Sequence, residues 1–232
     1  LRVGVRSVEE GGSRFAAWGK GKGSAWLNGY GLDEDDHLLP KGQRWMRAAH
    51  DVGAKVFVAV EDDAAFLHLA DGLLDLPIMS GLANPRIAAS THAQGNRQGI
   101  YGWPQADREE PEKFRRRYGV RLWQAGYDVA MTYAYQHGFG HAWNDFDFGG
   151  RMDYMLTYPT VDGVIDTLPY EGLREAVDDS RYVATLIETA AKARQDPARN
   201  SEANEAVRWS RAASTDGDLD VWRRGIGERT SG

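Results

Sequence analysis

The fold class predicted for this chain is α/β: a (β/α)8 TIM-type barrel, of which these 232 residues form the C-terminal portion, an incomplete barrel closed off by C-terminal helices. Three observations predict it. Short apolar or β-branched runs alternate with helical patterns along the chain, and that alternation is the signature of a parallel sheet. Two of the runs lead into carboxylates, at Asp33-Glu34-Asp35 and at Glu61-Asp62-Asp63, and acid at a strand mouth is how such a barrel presents catalytic groups. The pattern yields about five strands, whereas a closed barrel needs eight. Either residues 1–24 hold further strands or the chain continues a larger barrel, and the second reading is the one adopted.

The elements are justified in order. Residues 25–32 read as a strand running from Ala25-Trp26-Leu27 into the acidic pair. Pro40 opens a helix to Val52, with Trp45, Ala48, Ala49 and Val52 at helical spacing and Gly53 as its cap. Lys55 to Val60 is a β-branched run of the kind found in buried parallel strands. A short helix over 64–74 and a strand over 74–79 follow. The polar stretch 84–98 reads as irregular, and 99–103 as a strand. Residues 112–126 read as a helix with Phe114, Tyr118 and Leu122 on one face. Asp128 to Tyr135 reads as a strand, and 136–168 as one long loop rich in Gly, aromatics and Asp, a length that usually signals function. Leu173, Ala176, Val177, Ser180, Ala184 and Ile187 mark a face of a long helix. The expected organisation is a barrel-type domain over 1–195, lacking its N-terminal part, and a polar helix and loose tail over 196–232.

Composition narrows the function. Hydrophobic residues make up 42% of the chain and charged residues 27%, with a net charge of −6, so neither nucleic acid nor an anionic membrane surface is an expected partner. The basic run Arg115-Arg116-Arg117 lies beside Glu109, Glu110 and Glu112 and reads as a solvated helix face. With no cysteine, disulfides and thiolate metal sites are excluded. No apolar run reaches the roughly 18 residues of a membrane span. No signal peptide is visible at Leu1, and the absence of an initiating Met suggests that the natural N-terminus lies upstream. Eight Trp and ten Tyr are many for this length, and core packing accounts for most of them. Aromatic rings near strand ends are what sugar-binding clefts use, because the C–H faces of sugars pack on them.

Several segments together resemble a known family. They are Tyr30-Gly31-Leu32-Asp33-Glu34, Ile100-Tyr101-Gly102-Trp103-Pro104-Gln105, Leu122-Trp123-Gln124-Ala125-Gly126-Tyr127-Asp128, Tyr133-Ala134-Tyr135 and Tyr158-Pro159. The most specific is the run from Glu171-Gly172-Leu173-Arg174-Glu175 through Asp178-Asp179 to Arg181-Tyr182. Over roughly 25–192 they resemble the catalytic domain of glycoside hydrolase family 123, together with its uncharacterised barrel relatives. The resemblance implies an exo-acting β-N-acetylgalactosaminidase without a cofactor, working by substrate-assisted, retaining hydrolysis. It implies Glu34 as general acid/base and Asp33 as the group that orients the 2-acetamido substituent. Further N-terminal barrel and β-sandwich segments of the same parent protein, a glycan or glycoconjugate substrate and a secreted or periplasmic location belong to the same expectation.

The chemistry of the residues agrees with that mechanism and leaves alternatives open. Adjacent residues have Cα atoms about 3.8 Å apart, so Asp33 and Glu34 can hardly straddle a sugar ring as a conventional carboxylate pair does. They can place one acid on the leaving oxygen while the other holds a substrate group. The competing reading is turn or helix N-terminal charge. A conventional pair would draw its second acid from Glu61, Asp62 or the 144–147 loop, and a non-catalytic carbohydrate-binding module is the reading from a different class. Tyr101, Trp103, Tyr133, Tyr135, Trp143, Asn144 and Asp145 are the candidate substrate-binding residues. His137 and His141 lack a third ligand in a recognisable pattern, so no metal is expected.

Overall fold

The computed structural model describes residues 14, 28–29, 39–60, 72–102, 106, 109–147 and 152–231. The chain divides into two compact units, Leu1–Tyr101 and Gly102–Gly232.

The first unit carries a parallel sheet. Strands β1 (Asn28–Gly29), β2 (Lys55–Val60), β3 (Leu76–Ser80) and β4 (Gly99–Tyr101) lie side by side in chain order, each parallel to the next. Val56, Val58 and Val60 of β2 are buried at every second position, the period a strand imposes. They pack with Met46, Ala49, Ala54, Leu74, Met79 and Ile87. Helix α1 (Leu39–Asp51) covers this core through Trp45, Met46 and Ala49. It ends in a Schellman motif: Gly53 takes φ +75°, its N–H donates to His50 O, and Ala54 N–H donates to Ala49 O. Helix α2 (Pro85–Ala93) is regular where the sequence reading is irregular. Asn84 caps it by accepting from Arg86 N–H at 3.0 Å, and Pro85 occupies the first turn, where no N–H is missed.

The expected barrel is corrected here. Among the described residues the strands form a parallel sheet and two small antiparallel pairs, a partial arrangement and not a (β/α)8 barrel. Alternation of strands and helices selects parallel pairing, but closure also demands the full set of tilted, staggered strands. The strand expected over 128–135 contracts to β5 (Val129–Ala130). The stretch expected as one loop forms two antiparallel pairs instead. These are β6 (Gln136–His137) with β7 (Tyr154–Met155), and β8 (Thr157–Pro159) with β9 (Val164–Asp166).

The rest of the second unit is helical. Helix α3 (Pro111–Arg115) runs through a π turn over Arg116–Val120, kinked at Gly119, into α4 (Arg121–Ala125), which ends at Gly126 in the left-handed region. Long helix α5 (Leu168–Ala193) is capped by Thr167, and α6 (Asn200–Ala212) and α7 (Leu219–Ser231) pack beside it. The end expected to be loose is thus helical, anchored by Leu219, Trp222 and Ile226 against Val120, Val183, Leu186 and Ala206. The buried stripe of α5 runs through Gly172, Ala176, Asp179, Val183, Leu186 and Ala190, whereas Val177, expected on it, is half exposed. Two close approaches fix the register. A Cβ at Gly172 would lie 2.2 Å from Pro111 O, and one at Gly119 would lie 3.0 Å from Ala176 Cα.

Arg115 is buried, not part of a solvated face. Its guanidinium donates to both oxygens of fully buried Asp179, at 2.8 and 3.2 Å, and also pairs with Asp220. Arg223 donates to Asp179 and to Glu175. Burial works against the charged form of Arg115, but the Asp179 and Asp220 carboxylates hold it charged well above the ordinary range. The most specific run of the family resemblance therefore has a structural role: Gly172, Ala176 and Asp179 are the points where α5 meets α3, the π turn and α7.

Candidate functional site

The two residues expected to cleave, Asp33 and Glu34, lie outside the described residues, as do Trp103, Glu61 and Asp62. Tyr101 ends β4 of the first unit, half-buried and in register with Ser80. Tyr133, Tyr135, Trp143, Asn144 and Asp145 all fall in the second unit, on the loop between β5 and β7. Tyr133, Tyr135, Trp143 and Asp145 meet the segment 153–158, and that junction is the candidate site.

Its first half is built on Tyr158. Trp143, half exposed, stacks on the Tyr158 ring at 5.3 Å between centroids and 26° between planes. The Tyr158 hydroxyl donates a short hydrogen bond to Asp145 Oδ2. Burial pushes the Tyr158 phenol far above its ordinary value, and the Asp145 hydrogen bond pushes it the same way. The charges of Asp145, Glu109 and Asp153 add to this, since a phenolate beside carboxylates is doubly disfavoured. Asp145 Oδ1 is buried and has no partner among the described residues.

The loop is shaped by local polar contacts. Asn144 Oδ1 accepts from Phe146 N–H at 3.2 Å, so this side-chain oxygen serves the turn. Asp147 accepts from His141 N–H at 2.7 Å, and His141 Nδ1 accepts from Trp143 N–H at 3.2 Å. A Cβ at Gly140 would displace the Asp147 carboxylate from this position. Tyr135 contributes through its backbone: its carbonyl accepts from Leu156 N–H and Thr157 N–H, while its ring is half exposed.

The second half is an aromatic cluster. Tyr133, His137, Phe139 and Tyr154 pack at centroid distances between 4.9 and 6.1 Å, mostly edge to face. The Tyr133 hydroxyl and His137 Nδ1 are 2.6 Å apart. Asp153, almost fully buried, accepts from Phe139 N–H through Oδ1, while its Oδ2 has no partner among the described residues and lies where a Gly138 Cβ would touch it at 3.0 Å.

Sequence reasoning missed Asp153, Tyr158 and His137 as members of this site. Tyr158-Pro159 carried a signal as part of the family resemblance, and Gly138 and Gly140 marked a place where backbone passes close to other groups. Asp153 carried none. The site presents half-exposed aromatic faces beside carboxylate oxygens, a combination suited to a polyhydroxylated ligand. Among the described residues no group of three or more His, Asp or Glu side chains is placed to hold a metal. No helix among them is long and apolar enough to cross a membrane. Compared with protein-family models and with curated proteins, the chain gives no match.

Proposed function

We infer that this protein is a glycoside hydrolase that removes a terminal N-acetylhexosamine, with β-linked N-acetylgalactosamine the first candidate, and that the sugar ring rests on Trp143. One observation carries the reading: a half-exposed indole is stacked on a tyrosine whose hydroxyl is fixed by Asp145. A sugar offers an apolar C–H face for that ring. The cleaving groups assigned are Glu34, as the acid on the leaving oxygen, and Asp33, as the group that steers the acetamide for its attack on C1. That assignment rests on their adjacency in the sequence and on the family resemblance, and it does not depend on a closed barrel.

The test pairs an aryl β-N-acetylgalactosaminide with an aryl β-galactoside, using the intact protein and its Glu34→Gln variant. Release from the acetamido sugar alone, abolished in the variant, supports substrate assistance. Release from both sugars moves the nucleophile onto the protein. Release from neither, with sugar binding retained by calorimetry, makes the protein a carbohydrate-binding module.

A further inference from the structure

We propose that His137 is a positioning residue that sets the hydrogen-bonding sense of Tyr133, so that one proton on the imidazole converts the Tyr133 hydroxyl from an acceptor toward ligand into a donor. The proposal rests on the reading that this surface binds a sugar, and it assigns His137 a role in that site.

The argument starts from the 2.6 Å contact between Tyr133 Oη and His137 Nδ1. A neutral imidazole offers one nitrogen as acceptor and one as donor; an imidazolium offers only donors. With His137 neutral and Nδ1 unprotonated, the Tyr133 O–H must point at Nδ1. The phenolic lone pairs are then what the hydroxyl shows to anything else. With His137 protonated, Nδ1–H donates to Tyr133 Oη, and the Tyr133 proton is released to face outward. No heavy atom has to move, and no bond other than N–H changes.

The surroundings hold the pair in place. His137 is in β6, paired across the ladder with Tyr154 of β7. The Tyr154 ring closes one side of the imidazole at 6.1 Å and Phe139 another at 4.9 Å. Tyr133 itself meets both His137 and Tyr154 edge to face. The titratable groups on these elements are the Tyr133 and Tyr154 phenols and the Asp153 carboxylate, which accepts from the neighbouring Phe139 N–H. Tyr133 is still 39% exposed, so part of the residue is open to a ligand.

Two measurements test this. The first needs no ligand: nitrogen NMR of the imidazole reads the tautomer of His137 in the intact protein. The expected result is a neutral ring carrying its proton on Nε2, with Nδ1 shifted as an acceptor, and a loss of that Nδ1 shift in Tyr133→Phe. A neutral ring protonated on Nδ1, or one indifferent to Tyr133→Phe, overturns the proposal. The second is calorimetric binding of methyl β-N-acetylgalactosaminide from pH 5 to 8. The expected result is a one-proton dependence of affinity that both Tyr133→Phe and His137→Gln flatten. Affinity that varies with pH identically in all three proteins also overturns it. Absence of binding by the wild-type protein at every pH counts against the sugar-binding reading, and the tautomer measurement then decides the pairing alone.

Discussion

Asp179 and Arg115, 64 residues apart in the chain, meet as a buried two-point ion pair in which both carboxylate oxygens accept from one guanidinium. Arg223 donates to the same carboxylate from the last helix. Removing the acid leaves two arginines facing each other without their shared counter-charge. Breaking such a pair from one side costs about 3–5 kcal/mol. Asp179→Ala is expected to lower the unfolding free energy, read from denaturant titration, by an amount in that range. The exposed pair Arg181 with Asp178 serves as the control, since surface pairs contribute about 0–1 kcal/mol.

Gly172 lets α5 touch the start of α3. An added methyl would lie 2.2 Å from Pro111 O and 2.7 Å from Pro111 Cα, both backbone atoms that cannot rotate away. Gly172→Ala is expected to destabilise the protein by roughly 1–3 kcal/mol through overpacking, despite the better helix propensity of alanine. Thermal unfolding checks it, and Gly227→Ala, where the added methyl meets nothing within 4 Å, is expected to do no harm.

Asp75 in the first unit accepts from Lys55 Nζ, Val56 N–H and His50. Burial pushes its carboxyl up, but the Lys55, Val56 and His50 contacts outweigh burial and hold it below the ordinary value. A carboxyl with a depressed folded-state value contributes stability that is present above the unfolded value, near 3.9, and is lost as pH falls through the folded value. The unfolding midpoint is therefore expected to fall with acidification below about pH 4, and Asp75→Asn is expected to make that fall shallower. Denaturation curves between neutral pH and pH 3 measure both.

Tyr158 is expected to stay protonated where ordinary tyrosines ionise, near pH 10, because burial and the Asp145 carboxylate oppose the phenolate. Ultraviolet titration of the folded protein then gives an ordinary tyrosine transition that Tyr158→Phe leaves unchanged in amplitude. Asp145→Asn keeps a partner for the hydroxyl but removes the charge, and it is expected to bring the Tyr158 ionisation down toward the others.

Much of the fold was legible in the residues. The Val56, Val58 and Val60 alternation marks a strand on its own, and the Asn84-Pro85 pair is a helix start that low amphipathicity in 85–93 obscured. Closure of a sheet has no such local signature, which is why strand-helix alternation suggested a barrel that the described strands do not form. The antiparallel pairs in 136–166 are two or three residues long, too short for a period of two to show. Arg115 reads as one charge in a basic run because its partners are far along the chain. In the candidate site, composition and loop length pointed to Tyr133, Tyr135, Trp143 and Asp145 as candidates, and the fold places them on one stretch of chain. Asp153 and the His137–Tyr133 pairing were not legible, since each depends on which backbone the loop folds against.

The most direct test of the account is calorimetric titration of the intact protein and its Trp143→Ala variant with methyl β-N-acetylgalactosaminide. The account predicts binding that weakens about tenfold in the variant, the loss of roughly 1.4 kcal/mol that one ring contact supplies, with only a small fall in the unfolding midpoint from the lost stack on Tyr158. Equal affinity in the two proteins, or no binding by the wild type, would contradict it.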